Sequence, residues 1–128
     1  LLIFKRNVDK NVVEKMKEYI NKDVNRIAIF PEGTVGNNTT LIRFRTGAFH
    51  LGVPILPVVI KFKKMIYDDD FKTCILKILT QDSIEIDVHV SDLIYPPFNE
   101  DKIEKIREFM GKVGKLKLSR ATNRFLKD

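Results

Sequence analysis

The 128-residue sequence has one cysteine, no tryptophan and two histidines. A single thiol, Cys74, excludes an internal disulfide framework and fits a reducing compartment. The longest apolar run, Val53 to Ile60, falls far short of the roughly 20 residues that a membrane-spanning helix needs. No signal-peptide layout, internal repeat or low-complexity segment is evident. Zinc-finger spacing, an RNA-binding aromatic motif and a dense basic run are also missing, which counts against a nucleic-acid partner.

What is present is the composition of a globular domain. Apolar residues make up 44% and charged residues 31%, and the length suits one domain with its own core. Twenty-three basic residues against 17 acidic ones give a net charge of +6. That balance suits an anionic partner: a phosphorylated substrate, an anionic membrane surface or nucleic acid.

Strand and helix patterns alternate along the chain. LLIF (Leu1 to Phe4) reads as a short buried strand. NVVEKMKEYI follows with an apolar helical face, and Asn11 and Glu14 form a candidate capping pair. RIAIF (Arg26 to Phe30) is the next predicted strand. Gly47 to Leu51 predicts a short helix stopped by Gly52 and Pro54. ILPVVI (Ile55 to Ile60) has the composition of a central strand covered on both faces. A helix is predicted over Phe71 to Leu79, and a half-exposed alternating strand over Ile84 to Val90. Asn99 caps a further helix with Glu100 and Asp101 in its first turn, and Phe98 and Ile103 stand at staple spacing. A last helix is placed from Ser119, packing Phe125 and Leu126. The alternation predicts an α/β layered domain with a mixed, largely parallel central sheet flanked by helices.

The segment FPEGTVGNN, Phe30 to Asn38, puts a carboxylate and a glycine into a proline turn directly after an apolar run. Ligands of α/β domains bind where strands end and loops begin. Gly33 permits backbone angles that other residues resist, so a ligand can approach the amides closely. Glu32 can accept hydrogen bonds or orient an arginine, and Arg43 and Arg45 follow. Chemistry alone leaves two readings open, a ligand site and a plain surface turn.

The remaining reactive residues have bland readings. His89 lies on the polar face of an alternating strand, where solvation is expected. His50 reads as structural and Cys74 as a small core residue. Asp68 to Asp70 reads as solvated loop carboxylates, so no metal site is expected. The chain offers no arrangement of nucleophile, base and orienting carboxylate.

FPEGT, then FRTGAF (Phe44 to Phe49), then VPILPVVIK together resemble the glycerolipid acyltransferase family, which includes glycerol-3-phosphate and lysophosphatidate acyltransferases. The family's third block is matched by Phe30, Pro31, Glu32, Gly33 and Thr34. Its fourth, an apolar block with a key proline, is matched around Pro57. IFKR resembles the second block, with Arg6 as its arginine, and the 26 positions from Arg6 to Glu32 hold one helix and one strand. The NNTT loop (Asn37 to Thr40), RTGAFHLG, VVIKF and the later YPP resemble the endoplasmic-reticulum glycerol-3-phosphate acyltransferase branch.

The resemblance implies transfer of an acyl group from acyl-CoA to a hydroxyl of glycerol 3-phosphate or a lysophospholipid, with acyl-CoA as co-substrate and no further cofactor. Arg6, Glu32, Gly33 and Thr34 would form the acceptor site, Arg6 binding its phosphate, with Pro31 and Pro57 structural beside it. The implied setting is a membrane surface, the cytosolic side of the endoplasmic reticulum. The family's first block, a histidine base and an aspartate with four residues between them, has no match. The position at that spacing after His50 is Ile55, and after His89 it is Ile94. The expectation is that residues 1–128 form the C-terminal part of an acyltransferase domain whose histidine–aspartate block lies upstream of Leu1. By itself the chain would then be inactive. A non-catalytic lipid- or phosphate-binding module is the alternative.

Overall fold

The computed structural model describes residues 11–22, 26–34, 36, 39–64 and 70–122. The elements run α1 (Val12–Asn21), β1 (Thr40–Leu41), a 3-10 helix (Thr46–Leu51), β2 (Val58–Phe62), α2 (Phe71–Leu79), β3 (Ile86–Val90), α3 (Glu100–Gly114) and β4 (Lys117–Leu118). This is an α/β arrangement with one parallel and one antiparallel strand pair. β1 pairs with β4 in parallel, and β2 pairs with β3 antiparallel.

The helix α3 organises the rest. Asn99 Oδ1 accepts from the Lys102 N–H at 2.8 Å, and the acidic first turn sits at the positive end of the helix. Ile103 and Ile106 lie one turn apart on the inner face and form the core with Phe49 of the 3-10 helix. Phe98 packs against that cluster, its ring 5.6 Å from that of Phe49 at 67°. It is the staple residue that the spacing predicts. The helix ends at Lys115, which takes a left-handed conformation, φ 52°. That reversal sends the chain back along the helix into β4 beside β1.

Two glycines let strands approach α3. A Cβ at Gly111 would stand 2.6 Å from Leu118 Cδ2, and one at Gly114 would stand 3.0 Å from Val59 Cγ1. The Lys61 ammonium donates to the Gly114 carbonyl, tying the same face of β2 to the helix end.

Several expectations are corrected. ILPVVI is not covered on both faces. Val59 is buried against α3, but Val58, Ile60 and Phe62 point the other way and share their face with Val90, Val88 and Ile86 of β3. All six lie between 36% and 64% exposed. The alternating strand is therefore apolar on an uncovered face, and its other residues are exposed as well. RIAIF is not assigned as a strand: among the described residues, 26–30 have no ladder partner, and Phe30 is 78% exposed. Extended apolar sequence becomes a strand only where a neighbour supplies hydrogen bonds. Asn11 precedes α1 without a side-chain capping bond. Ser119 to Thr122 is not helical, and Phe125 and Leu126 lie outside the described residues, as does LLIF. Among the described residues the strands form two separate pairs, not one central sheet.

The helix α2 keeps its predicted bounds. Asp70 caps it, accepting from the Thr73 N–H at 2.9 Å and the Thr73 hydroxyl at 2.7 Å. None of its residues is buried, so Cys74 is only partly covered and is not a core residue.

Candidate functional site

The proline turn is the first part of the site. Pro31 presets the turn, and the Gly33 N–H donates to the Phe30 carbonyl at 3.1 Å. Gly33 has φ 67°, a left-handed value that a side chain would resist. Its amide is thus committed to closing the turn. Two contacts fasten the turn to the chain that follows. The Arg45 N–H donates to the Pro31 carbonyl at 2.8 Å, and Glu32 Oε2 accepts from the Ile42 N–H at 2.9 Å. The backbone of Gly36 passes beside the same carboxylate, where a Cβ would stand 3.9 Å from Glu32 Oε1. Glu32 therefore ties the turn to Ile42, with Gly36 beside its carboxylate.

Arg107 is the second part. It lies on the inner face of α3 and is 4% exposed. Its Nη1 donates to the Leu41 carbonyl at 3.0 Å and to the Ser119 carbonyl at 3.2 Å. Its Nε donates to both carboxylate oxygens of Glu104, and Nη2 donates to Glu104 Oε1. The buried cation is thereby neutralised and four of its five N–H donors have acceptors, which offsets the cost of burying the charge. One guanidinium holds β1, the end of β4 and its own helix together.

Burial pushes the Glu32 carboxyl above its ordinary value, while the Ile42 N–H and the Arg107 charge pull it back. Glu104 is shifted the other way, held low chiefly by its hydrogen bond to Arg107 against the cost of burial. Two carboxylates on either side of one arginine therefore titrate in opposite directions from the usual range.

Pro31, Glu32, Gly33 and Thr34 lie together in one turn, as expected. Arg6 lies outside the described residues. Pro57 stands immediately before β2, where its carbonyl accepts from the Ser91 N–H at 3.0 Å, one hydrogen bond beyond the β2–β3 ladder. Its missing N–H falls where the ladder is interrupted between the Ile55–Ile94 bridge and Val58. His50 is exposed on the 3-10 helix, not packed, and His89 is exposed on β3. Asp70 has a task as a cap. Among the described residues no group of three His, Cys, Asp or Glu side chains is placed to hold a metal ion.

Sequence reasoning missed Arg107. The signal was a charged residue inside the apolar stripe of Ile103, Ile106 and Met110, with a glutamate three positions earlier. A cation at such a position needs buried partners.

Residues 2–61 match the family model described as acyltransferase. The chain is 33% identical over 110 residues to glycerol-3-phosphate acyltransferase 3 of Mus musculus, covering 80% of this chain and 24% of that protein. It is 33% identical over 99 residues to lysophospholipid acyltransferase LPEAT2 of Arabidopsis thaliana, covering 73% of this chain and 18% of the relative. To lysophospholipid acyltransferase LPEAT1 of the same plant it is 43% identical over 58 residues, covering 44% of this chain and 15% of the relative. The chain thus spans less than a quarter of the length of these relatives. No solved structure matches it.

Proposed function

The chain belongs to the acyltransferase family, and on that premise we propose that it supplies the acceptor side of an enzyme moving a fatty acyl group from acyl-CoA to a hydroxyl of glycerol 3-phosphate or a lysophospholipid. The observation that carries this reading is the way Glu32 is used. Its carboxylate is committed to the Ile42 amide, so it shapes the turn and does not act as the base. A turn held in this manner suits a wall of an acceptor pocket, with Gly33 and Thr34 at its surface and Arg6 binding the phosphate.

In the reaction the acceptor hydroxyl oxygen attacks the thioester carbonyl, the carbon–sulfur bond breaks, and CoA leaves as the thiolate. The hydroxyl proton passes to a base that this chain does not provide, since neither His50 nor His89 has an aspartate at the family spacing. Acyl-CoA is the co-substrate, with no metal or other cofactor. A guanidinium can bind a phosphate bidentately, so Arg6→Lys is not a conservative change in this reading.

The same reading puts the protein on a membrane, the cytosolic face of the endoplasmic reticulum. The +6 charge supports attraction to anionic headgroups, phosphate and CoA. The exposed Phe71, Leu76 and Leu79 of α2 support contact with an apolar phase.

The test is a glycerol 3-phosphate titration of the protein followed by amide NMR. Saturable shifts at Gly33 and Thr34, lost in Arg6→Ala, are expected. Saturable binding that leaves both amides unmoved, or no binding, refutes the assignment of the turn.

A further inference from the structure

The Leu41 carbonyl and the Ile42 N–H belong to one peptide group. Arg107 donates to its oxygen and Glu32 accepts from its nitrogen. A cation at one end of the group and an anion at the other both favour the same orientation of its dipole. Donation to the carbonyl also strengthens the N–H as a donor to Glu32. We propose that Arg107 is a positioning residue for the Pro31–Thr34 turn, acting through the Leu41–Ile42 peptide and Glu32. The proposal rests on the acceptor-site reading of that turn and adds a residue from outside the matched segment 2–61.

The geometry explains why the residue is arginine. Nη1 bridges two carbonyls from different strands while Nε and Nη2 hold Glu104. An ammonium is a point charge on a flexible stem and cannot keep both sides at once. The helix beneath is rigid: Asn99 caps it, and Ile103 and Ile106 are fixed in the core. The turn's place is therefore set by a helix more than sixty residues further along the chain, through one peptide. Ser119, whose carbonyl shares Nη1 and whose N–H donates to the Leu41 carbonyl at 3.0 Å, completes the clamp.

The experiment compares the wild-type protein with Arg107→Lys, Glu32→Gln and the double variant by amide NMR, alone and titrated with glycerol 3-phosphate. The expected result is displaced Gly33 and Thr34 amide signals in Arg107→Lys, with the β3 signals unchanged. Affinity for glycerol 3-phosphate should fall about tenfold, and the double variant should be no weaker than Glu32→Gln, because the two residues act in series. Unmoved Gly33 and Thr34 signals, or losses that multiply in the double variant, overturn the proposal. If the wild type does not bind glycerol 3-phosphate, the acceptor-site reading falls, and the Gly33 and Thr34 displacements in the unliganded protein decide the positioning role by themselves. Should Arg107→Lys not fold, Glu104→Gln replaces it. That change loosens the guanidinium without removing a buried charge, and unmoved Gly33 and Thr34 signals there overturn the proposal equally.

Discussion

Glu32 and Arg107 grip opposite ends of the same peptide, Glu32 at the Ile42 nitrogen and Arg107 at the Leu41 oxygen. The carboxylate of the family motif therefore has a structural partner in a helix that the motif does not include. This relationship makes the energetic role of each residue measurable.

Glu32→Ala leaves the Ile42 N–H without its acceptor in a part-buried place. A loss of about 1–3 kcal/mol in unfolding free energy is expected from urea denaturation. Glu32→Gln keeps an oxygen at the same position and should cost less than half as much. Equal losses would show that the charge, not the hydrogen bond, carries the effect.

The two carboxylates predict opposite pH dependence. Glu32 titrates above 4.5 in the folded protein, so the fold holds its proton longer than the unfolded chain does. Its contribution to stability is present below pH 4.5 and is lost as pH rises through the folded value. Glu104 titrates below 4.5, so its contribution is present above pH 4.5 and is lost as pH falls through its folded value. Urea unfolding across the acid range should therefore show Glu32→Gln gaining on the wild type as pH rises. Glu104→Gln should trail the wild type near neutrality and close the gap in acid. Parallel curves for the two variants would contradict the assignment.

Gly114→Val tests how closely β2 lies on α3. The added Cβ meets Val59, whose own branched side chain is buried. A destabilisation of about 1–3 kcal/mol is expected from the overpacking, read as a lower urea midpoint at unchanged slope. Gly52→Ala provides the contrast. Nothing lies within 4 Å of the added carbon there, so its cost comes only from φ 73°.

The membrane reading is tested on α2. Leu76 is 60% and Leu79 74% exposed, so Leu76→Asp and Leu79→Asp should leave the thermal midpoint within a few degrees of the wild type. Co-sedimentation with phosphatidylcholine vesicles containing phosphatidylserine should fall several-fold. Unchanged sedimentation would remove α2 from the membrane contact.

Features whose determinants lie within a few residues were legible in the sequence. The bounds of α2, the Asn99 cap, the Phe98 staple and the Pro31–Gly33 turn all depend on neighbours in the chain. RIAIF and the two faces of VPILPVVI were misread because pairing and cover come from elsewhere. An apolar strand pattern states what a segment can bury, not whether anything lies against it. Arg107 was passed over for a related reason: Glu104 hints at a local ion pair, but the distant partners, the Leu41 and Ser119 carbonyls, belong to the backbone and leave no trace in side-chain patterns.

By itself the sequence determined the family, the local helices and the composition of the Pro31–Thr34 turn, because blocks in order, caps and turn residues are short-range information. Only the tertiary structure decided what Glu32 does. A carboxylate has no role until its hydrogen-bond donor is known, and the donor here is an amide ten residues away. That amide's peptide is held from the other side by an arginine on α3, so the chemistry of the motif became readable only once the helix was folded against it.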